Sequence, residues 1–326
     1  MKRQDTGQLQ DAGQLYQDML SKEYIEKELV AAGISLKTEI LEEISSTSTL
    51  LRQYAEAGER QDMLLLAEHQ TGGRGRKGRS FFSPKGMGLY MSLLLHPKAP
   101  AGEVYMLTTL AAAATAKALE KISGKEVQIK WVNDILIGGK KVVGILTESS
   151  GTITDGCFDY VIVGIGINVY EPIGGFPEEI RDVAGAVFAE ADLQESRSGI
   201  IAEQENGSRI TKEGEPQRGL CRSELHDLRS RVAAETVKLF MEFYRTFPGK
   251  AYLEEYRSRS FLNGKEVRII PTEHITGDVS KAEGKASQMP VYATVLGIDE
   301  ACRLQVRYED GREELLSNGE VSVRER

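Results

Sequence analysis

Two apolar runs, Met63-Leu64-Leu65-Leu66-Ala67 and Leu89-Tyr90-Met91-Ser92-Leu93-Leu94-Leu95, bracket a segment that no buried element can hold: QTGGRGRKGRSFFSP, from Gln70 to Pro84. Arg74, Arg76, Lys77 and Arg79 alternate there with Gly72, Gly73, Gly75 and Gly78. Cations at that density are too costly to bury unpaired, so the segment reads as a loop, held between two core strands. Glycines let the backbone approach a ligand and turn its N–H groups inward. Guanidinium groups grip carboxylates and phosphates bidentately. The expectation is an anion-binding loop that repels itself when empty and orders around an anion. A solvated linker or a nonspecific RNA-binding segment has the same composition; the flanking core strands favour a scaffolded loop.

The rest of the chain narrows the class. Its formal net charge is -8, so the positive loop is a local device and wholesale nucleic-acid binding is disfavoured. With 326 residues, 40% of them hydrophobic, it can bury a full core in one or two domains. Cys157, Cys221 and Cys302 are scattered, with neither a disulfide framework nor zinc-ligand spacing. His69, His96, His226 and His274 lack an HExxH-like arrangement. The N-terminal stretch is too polar for a signal peptide, and no apolar run is long enough to span a bilayer. A cytoplasmic location is expected.

In chain order, the spacing of Tyr24, Ile25, Leu29 and Val30 predicts a helix ended by Gly33, and Ile40, Leu41 and Ile44 a first strand. The hydroxyl run Ser45 to Thr49 reads as an N-cap opening a helix that Gly58 closes. An Ala-rich helix is expected from about Val104 to Ile122. Two strands follow, Val127 to Trp131 and Val142 to Glu148, joined at Gly138-Gly139. Phe158 to Val169 reads as one apolar strand interrupted by Gly164 and Gly166. Lys140 is expected as an exposed edge residue and Lys141 as a functional one. Neither a dinucleotide fingerprint nor a Walker motif occurs. After a polar stretch come two helices, Leu225 to Phe247 and a shorter one through Tyr256. The end of the chain reads as short strands, KEVRII, VYATVLGI, RLQVRYED and EVSVRE, in a small antiparallel barrel or sandwich of the SH3-like kind.

With these motifs in place, the chain resembles biotin protein ligases. The resemblance rests on SST at Ser45-Ser46-Thr47, QTGGRGRKGRSFFSP, KWVND at Lys130 to Asp134, KKVVGILTE at Lys140 to Glu148, GIGINV at Gly164 to Val169 and GEVSVR at Gly319 to Arg324. They run in the family's order from Glu39 to the end. GRGRxGR together with KWxND is specific, whereas either alone is not.

The resemblance implies an α+β fold: a central mixed sheet with flanking helices, as in class II aminoacyl-tRNA synthetases and biotin ligases, plus a small C-terminal SH3-like β-barrel. It divides the chain into a helical extension over 1–38, a catalytic domain over 39–260 with a polar insertion at 190–224, and the SH3-like domain over 261–326. It implies that biotin and ATP are the substrates, with Mg2+, and that biotin passes through biotinyl-5'-AMP to a lysine of a carboxylase's biotin carboxyl carrier domain. Ser46, Thr47, Ser48 and Gln70 fall at the biotin ring, and Arg74, Gly75, Arg76 and Lys141 at its carboxylate. Lys141 and Arg76 fall in catalytic positions. Arg79, Phe81, Lys130, Asn133 and Asn168 fall at the nucleotide, with Phe81 in the position of an adenine-stacking aromatic, and Asp134 near Mg2+. The sequence departs from the family pattern at Ser48, where asparagine is usual, and at Val132, where proline is common. The region before residue 40 is expected to lack the winged helix-turn-helix of repressor-type members, so no DNA binding is expected. A homodimer is compatible with the family. Two alternatives remain at this level: a lipoate-type acyl-adenylate ligase, which needs a longer apolar tunnel, and an RNA-binding module, which predicts salt-sensitive RNA affinity without ATP turnover.

Overall fold

The structure, a computed structural model, describes residues 18–189, 192, 227–271, 291–317 and 321–325. Residues 1–17 of the expected extension and, apart from Asp192, the expected insertion from 190 onward lie outside the described residues.

The chain opens with α1 (Lys22–Ala31), capped by the Ser21 side chain, which accepts from the Tyr24 N–H at 3.2 Å. Ile25 and Leu29, one turn apart, are its buried residues. Strand β1 (Lys37–Ile44) follows, then α2 (Thr47–Glu56), β2 (Met63–Gln70), β3 (Gly88–Leu95) and α3 (Met106–Ser123). Strands β4 (Gln128–Lys130), β5 (Asp134–Ile137) and β6 (Lys140–Ser149) form a meander. A small hairpin, β7 (Ile153–Thr154) with β8 (Cys157–Phe158), precedes β9 (Val161–Asn168). Helices α4 (Leu228–Tyr244) and α5 (Leu253–Ser258) lead to β10 (Glu266–Pro271), β11 (Val291–Ile298), β12 (Leu304–Tyr308), β13 (Glu313–Leu316) and β14 (Val321–Glu325).

Seven strands make one mixed sheet in the order β1-β2-β3-β9-β6-β5-β4; β1 and β2 run parallel and every other neighbouring pair antiparallel. Because strand side chains alternate, the two faces separate cleanly. Leu64, Leu66, Met91, Leu93, Val163, Ile165, Val143 and Ile145 join the main core with α1, α3 and α4. Met63, Leu65, Leu94 and Ile162 pack on the other face against Leu51 and Ala55 of α2. The C-terminal strands form an open antiparallel sheet, β13-β12-β11-β10-β14. Its β11–β12 turn docks on the first unit: Tyr105 and Trp131 donate to the Ala301 and Cys302 carbonyls, each at 2.9 Å.

Three local readings are corrected. Two strands between Val127 and Glu148 are in fact three, since Asp134–Ile137 adds β5 between the turn at Trp131–Asn133 and that at Gly138-Gly139. Both of those glycines have positive φ, 56° and 76°, so they allow a second tight reversal. The apolar run from Phe158 is broken into β8 and β9. Glu313–Leu316, acidic in its first half, is a strand because it pairs with β12 across the Asp310-Gly311 turn.

Behind the sheet, Arg229 at the start of α4 is fully buried. It donates to Glu68 of β2 at 2.7 Å and to the Gly88 carbonyl at 3.2 Å, and contacts Asp18, to whose main-chain oxygen it also donates. Asp18 accepts from Tyr170 at 2.6 Å and Glu68 from the Leu20 N–H at 2.8 Å. Burial raises the Asp18 carboxyl above its ordinary value, with Arg229 and Tyr170 opposing. An acid whose pKa is raised by folding favours the folded state below its unfolded pKa and loses that contribution as pH rises through the raised value. At neutral pH the Asp18 charge therefore opposes folding, and Arg229 offsets it. Arg229→Met is expected to lower unfolding free energy at neutral pH by about 3–5 kcal/mol. Urea titrations should show that deficit shrinking from neutral pH towards about pH 5, as the orphaned Asp18 carboxyl takes up a proton. A deficit constant across that range would contradict the account.

Candidate active site

Strands β3, β9 and β6 set three rows of residues across the face that carries α2. In the first, Tyr90 lies opposite Gly166 and Gly166 opposite Gly144. In the second, Ser92 lies opposite Gly164 and Gly164 opposite Leu146. In the third, Leu94, Ile162 and Glu148 align. At Gly164, Gly166 and Gly144, the floor of the site, the sheet contributes no side chain of its own, and other groups can lie against its backbone there.

The second row is lined with hydroxyls. Ser92 Oγ lies 2.8 Å from Thr47 Oγ1 and 2.9 Å from Ser48 Oγ. Gln70 Oε1 accepts from the Thr47 N–H at 2.9 Å and from its hydroxyl at 3.1 Å. Ser46 occupies the N-cap position, but its side chain makes no capping bond. The expected hydroxyl cap is thus corrected: a glutamine from the end of β2 serves the first free N–H of α2. A Cβ on Gly164 would stand 2.7 Å from Ser48 Oγ, so glycine there is what admits the hydroxyl.

The loop folds as a short hairpin. Gly75 N–H donates to Arg79 O at 2.7 Å, Phe81 N–H to Gly73 O at 2.9 Å, and Arg74 bridges Ser80. Lys77 at φ 57° and Gly78 at φ 73° make its tip. A Cβ on Gly73 would meet Phe81 O at 2.5 Å, which explains glycine at that close approach. The Phe81 ring lies on the first row: a Cβ on Gly166 would be 2.6 Å from it and one on Gly144 3.2 Å. Tyr90 meets it edge-on, with centroids 6.5 Å apart.

The expected self-repulsion of the loop is relieved by partners. Arg76 donates to Asn133 Oδ1 at 2.9 Å, Asn133 Nδ2 to Asp134 Oδ1 at 3.1 Å, and Lys141 Nζ sits 2.7 Å from that same oxygen. Asn133 also holds the Ile145 carbonyl at 3.0 Å. Burial lowers the Arg76 pKa, with Asp134 opposing. Arg74 pairs with Glu148 at 2.9 Å, and Glu148 with Arg52 at 2.7 Å.

Of the residues singled out in the sequence, Thr47, Ser48 and Gln70 form one cluster, and Arg76, Asn133, Asp134 and Lys141 a second. Phe81 lies over the glycines, and Lys141 Cε is 3.4 Å from where a Gly144 Cβ would stand. Asn168 donates to the Gly185 carbonyl at 2.9 Å, which holds the 183–188 segment beside β6. Lys130 lies opposite Asp134 in the β4–β5 pairing, and Arg79 is exposed near the loop tip. Lys140 is exposed, its Nζ on the Asp182 carbonyl. Sequence reasoning missed Ser92, although a lone hydroxyl within LYMSLLL is a visible signal, and gave no role to Glu148 or Gly144. No group of three or more His, Cys, Asp or Glu side chains able to hold a metal occurs among the described residues.

The Biotin/lipoate A/B protein ligase family profile matches residues 40–168, which carry the whole floor and loop. Over 173 residues the chain is 39% identical to the bifunctional ligase/repressor BirA of Bacillus subtilis, covering 51% of this chain and 53% of that protein. The chain thus spans about half the length of the curated relatives it matches in this way. It is 28% identical over 256 residues to the biotin--[acetyl-CoA-carboxylase] ligase of Mycobacterium tuberculosis, covering 77% of this chain and 81% of that one. Among solved structures, the biotin protein ligase from Aquifex aeolicus in complex with biotin and ATP aligns with a TM-score of 0.59 at 26% identity, over 89% of this chain and 99% of that chain.

The hydroxyl cluster has a direct test. Ser92→Ala leaves two buried hydroxyls short of a partner and is expected to lower stability by about 1–3 kcal/mol. In a double-mutant cycle with Ser48→Ala, denaturant titrations should give a double variant less destabilised than the sum of the singles.

Proposed function

We propose that the chain, whose residues 40–168 match the biotin/lipoate A/B protein ligase family, is a member of that family that activates biotin with ATP to biotinyl-5'-AMP and transfers the biotinyl group to a lysine of a carboxylase's biotin carboxyl carrier domain. The observation that carries the reading is the meeting of a hydroxyl-lined glycine floor with the Arg76–Asn133–Asp134–Lys141 chain on one sheet face.

The chemistry sets what such a site must do. A carboxylate oxygen attacks the α-phosphorus, the bond to the β-phosphate bridge oxygen breaks, and pyrophosphate leaves. Two anions must approach each other, so the site needs positive charge that does not itself react. In the proposed arrangement Ser46, Thr47, Ser48 and Gln70 hold the polar ring of biotin, with Ser92 orienting two of those hydroxyls. Arg74, Gly75 and Arg76 fold over biotin and its carboxylate, which Lys141 also faces. Lys141, a compact ammonium, exchanges its Asp134 partner for charge developing at phosphorus. Phe81 leaves the floor to stack on the purine. Asn133 and Asn168, with Arg79 and Lys130 further out, line the nucleotide side, and Asp134 would be the carboxylate available to magnesium. The loop then excludes water from the mixed anhydride. In the second step the carrier lysine amine attacks the acyl carbon, the acyl C–O bond breaks and AMP leaves. No side-chain nucleophile is needed; positioning and electrostatics suffice.

The same proposal includes the division into extension (1–38), catalytic unit (39–260) and SH3-like unit (261–326), the open C-terminal sheet standing for the SH3-like part. It includes a homodimer through the central sheet, whose outer strands are β1 and β4. It also includes a cytoplasmic setting, in line with free thiols at Cys157 and Cys302. Among the described residues, no helix is long and apolar enough to cross a membrane.

Labelled biotin, ATP and magnesium incubated with the protein and a carrier domain should place label on the carrier; no label and no biotin-dependent pyrophosphate release would overturn the reading. Lys141→Ala should slow adenylate formation by about 10²–10³-fold while the unfolding midpoint moves little. Arg76→Gly should loosen the adenylate, so that label appears on bystander lysines.

A further inference from the structure

We infer that Glu148 is a positioning residue that latches the cationic loop shut through Arg74, an inference that rests on the ligase reading above. Glu148 is the ninth residue of β6 and closes the third row across the sheet, one row beyond Ser92, Gly164 and Leu146. Its side chain is 17% exposed, and each carboxylate oxygen takes a different guanidinium. Oε1 accepts from Arg52 Nη2 of α2 at 2.7 Å, and Oε2 from Arg74 Nη1 of the loop at 2.9 Å. Glu148 thereby ties one residue of α2 and one residue of the loop to β6.

The grip reaches the whole loop because Arg74 is built into its hairpin. Arg74 bridges Ser80, and the next residue, Gly75, donates to Arg79 O. The opposite anchor is Arg76 on Asn133. The loop is thus tied down at two points, one on β6 and one at the β4–β5 turn. Arg52 supplies the second positive charge on Glu148 and fixes the direction of its carboxylate. A half-buried network of three charges, with charge-assisted hydrogen bonds, holds better than a single exposed pair. Opening the loop requires breaking the Arg74 contact, so the pair sets how long the reactive mixed anhydride is retained. Glu148 does this without touching a reacting atom.

The test is the escape of labelled biotinyl-5'-AMP from the preformed complex of the full chain, followed by chase after gel filtration. Glu148→Gln is expected to speed escape about tenfold, equivalent to about 1.4 kcal/mol. Arg74→Met should do the same, and the double variant no more than either alone. Arg52→Met should speed escape by less. Salt should accelerate escape from the wild type and leave Glu148→Gln nearly unresponsive, a signature that a general loss of stability does not produce. If the wild type forms no adenylate, the ligase reading falls and the latch with it. If it forms and holds the adenylate and Glu148→Gln holds it as long, or if the two losses simply add, the latch alone falls. Should Glu148→Gln fail to fold, Arg52→Met decides: unchanged escape there overturns the latch.

Discussion

A sheet face becomes a binding surface only if something keeps its own side chains and covering helix off it. Here Gly164, Gly166 and Gly144 do so on the two neighbouring strands β9 and β6. A residue with a Cβ at Gly166 would collide with the Phe81 ring, and one at Gly164 with the Ser48 hydroxyl. The remaining architecture follows from that clearing. Helix α2 covers the apolar end of the face at Ile162 and Leu94, and its N-terminal hydroxyls overhang the glycine middle. The opposite face is continuous with the main core, so the strands lose one face of packing and keep the other. Glycine weakens a strand, and the burial of Val163, Ile165 and Ile167 beneath offsets that weakness.

The charges obey a similar economy. A loop carrying four cations is tolerable because the fold supplies Glu148, Asn133 and Asp134 along its underside. These partners differ in kind. Asn133 is neutral and also holds the Ile145 carbonyl, so it can keep its place while a charged ligand competes for Arg76. Asp134 is an anion already paired with Lys141, and any incoming carboxylate or phosphate must compete with it directly. Glu148 is shared with Arg52, outside the floor. The loop cations thus meet a neutral partner and a shared carboxylate, Asn133 and Glu148, while Asp134 pairs with Lys141 beneath them.

Much of this was legible in the residues. The apolar runs on either side of Gln70 to Pro84 are strands because nothing else buries Leu64, Leu66, Met91 and Leu93 at alternating positions. The clustering of Arg76, Asn133 and Lys141 followed from family motifs, whose spacing alone does not reveal that β4, β5 and β6 bring them together. The strand Asp134–Ile137 was invisible because it is short and shares its apolar residues with a longer run. Glu148 escaped notice for a different reason. An acidic residue near the end of a strand ordinarily reads as solvent-facing, and only the three-dimensional pairing of β6 with β9 puts it beside Arg52 and Arg74. Ser92 carried a local signal, and its meaning still needed the register that sets it against Gly164.

What holds the β4–β5 turn in place lies outside the site. Asn133 can anchor Arg76 only if its own backbone is fixed, and its two predecessors are gripped from the far side: Trp131 donates to the Cys302 carbonyl and Tyr256 to the Val132 carbonyl at 3.1 Å. One partner comes from the C-terminal sheet and the other from α5. On the other flank, Glu68, two residues before Gln70, is locked by Arg229 and the segment around Asp18. The loop therefore springs from one buried network and closes onto another. The anchors Glu68, Arg229, Trp131 and Tyr256 are buried, whereas Arg74, Lys77 and Arg79 of the hairpin between them reach water.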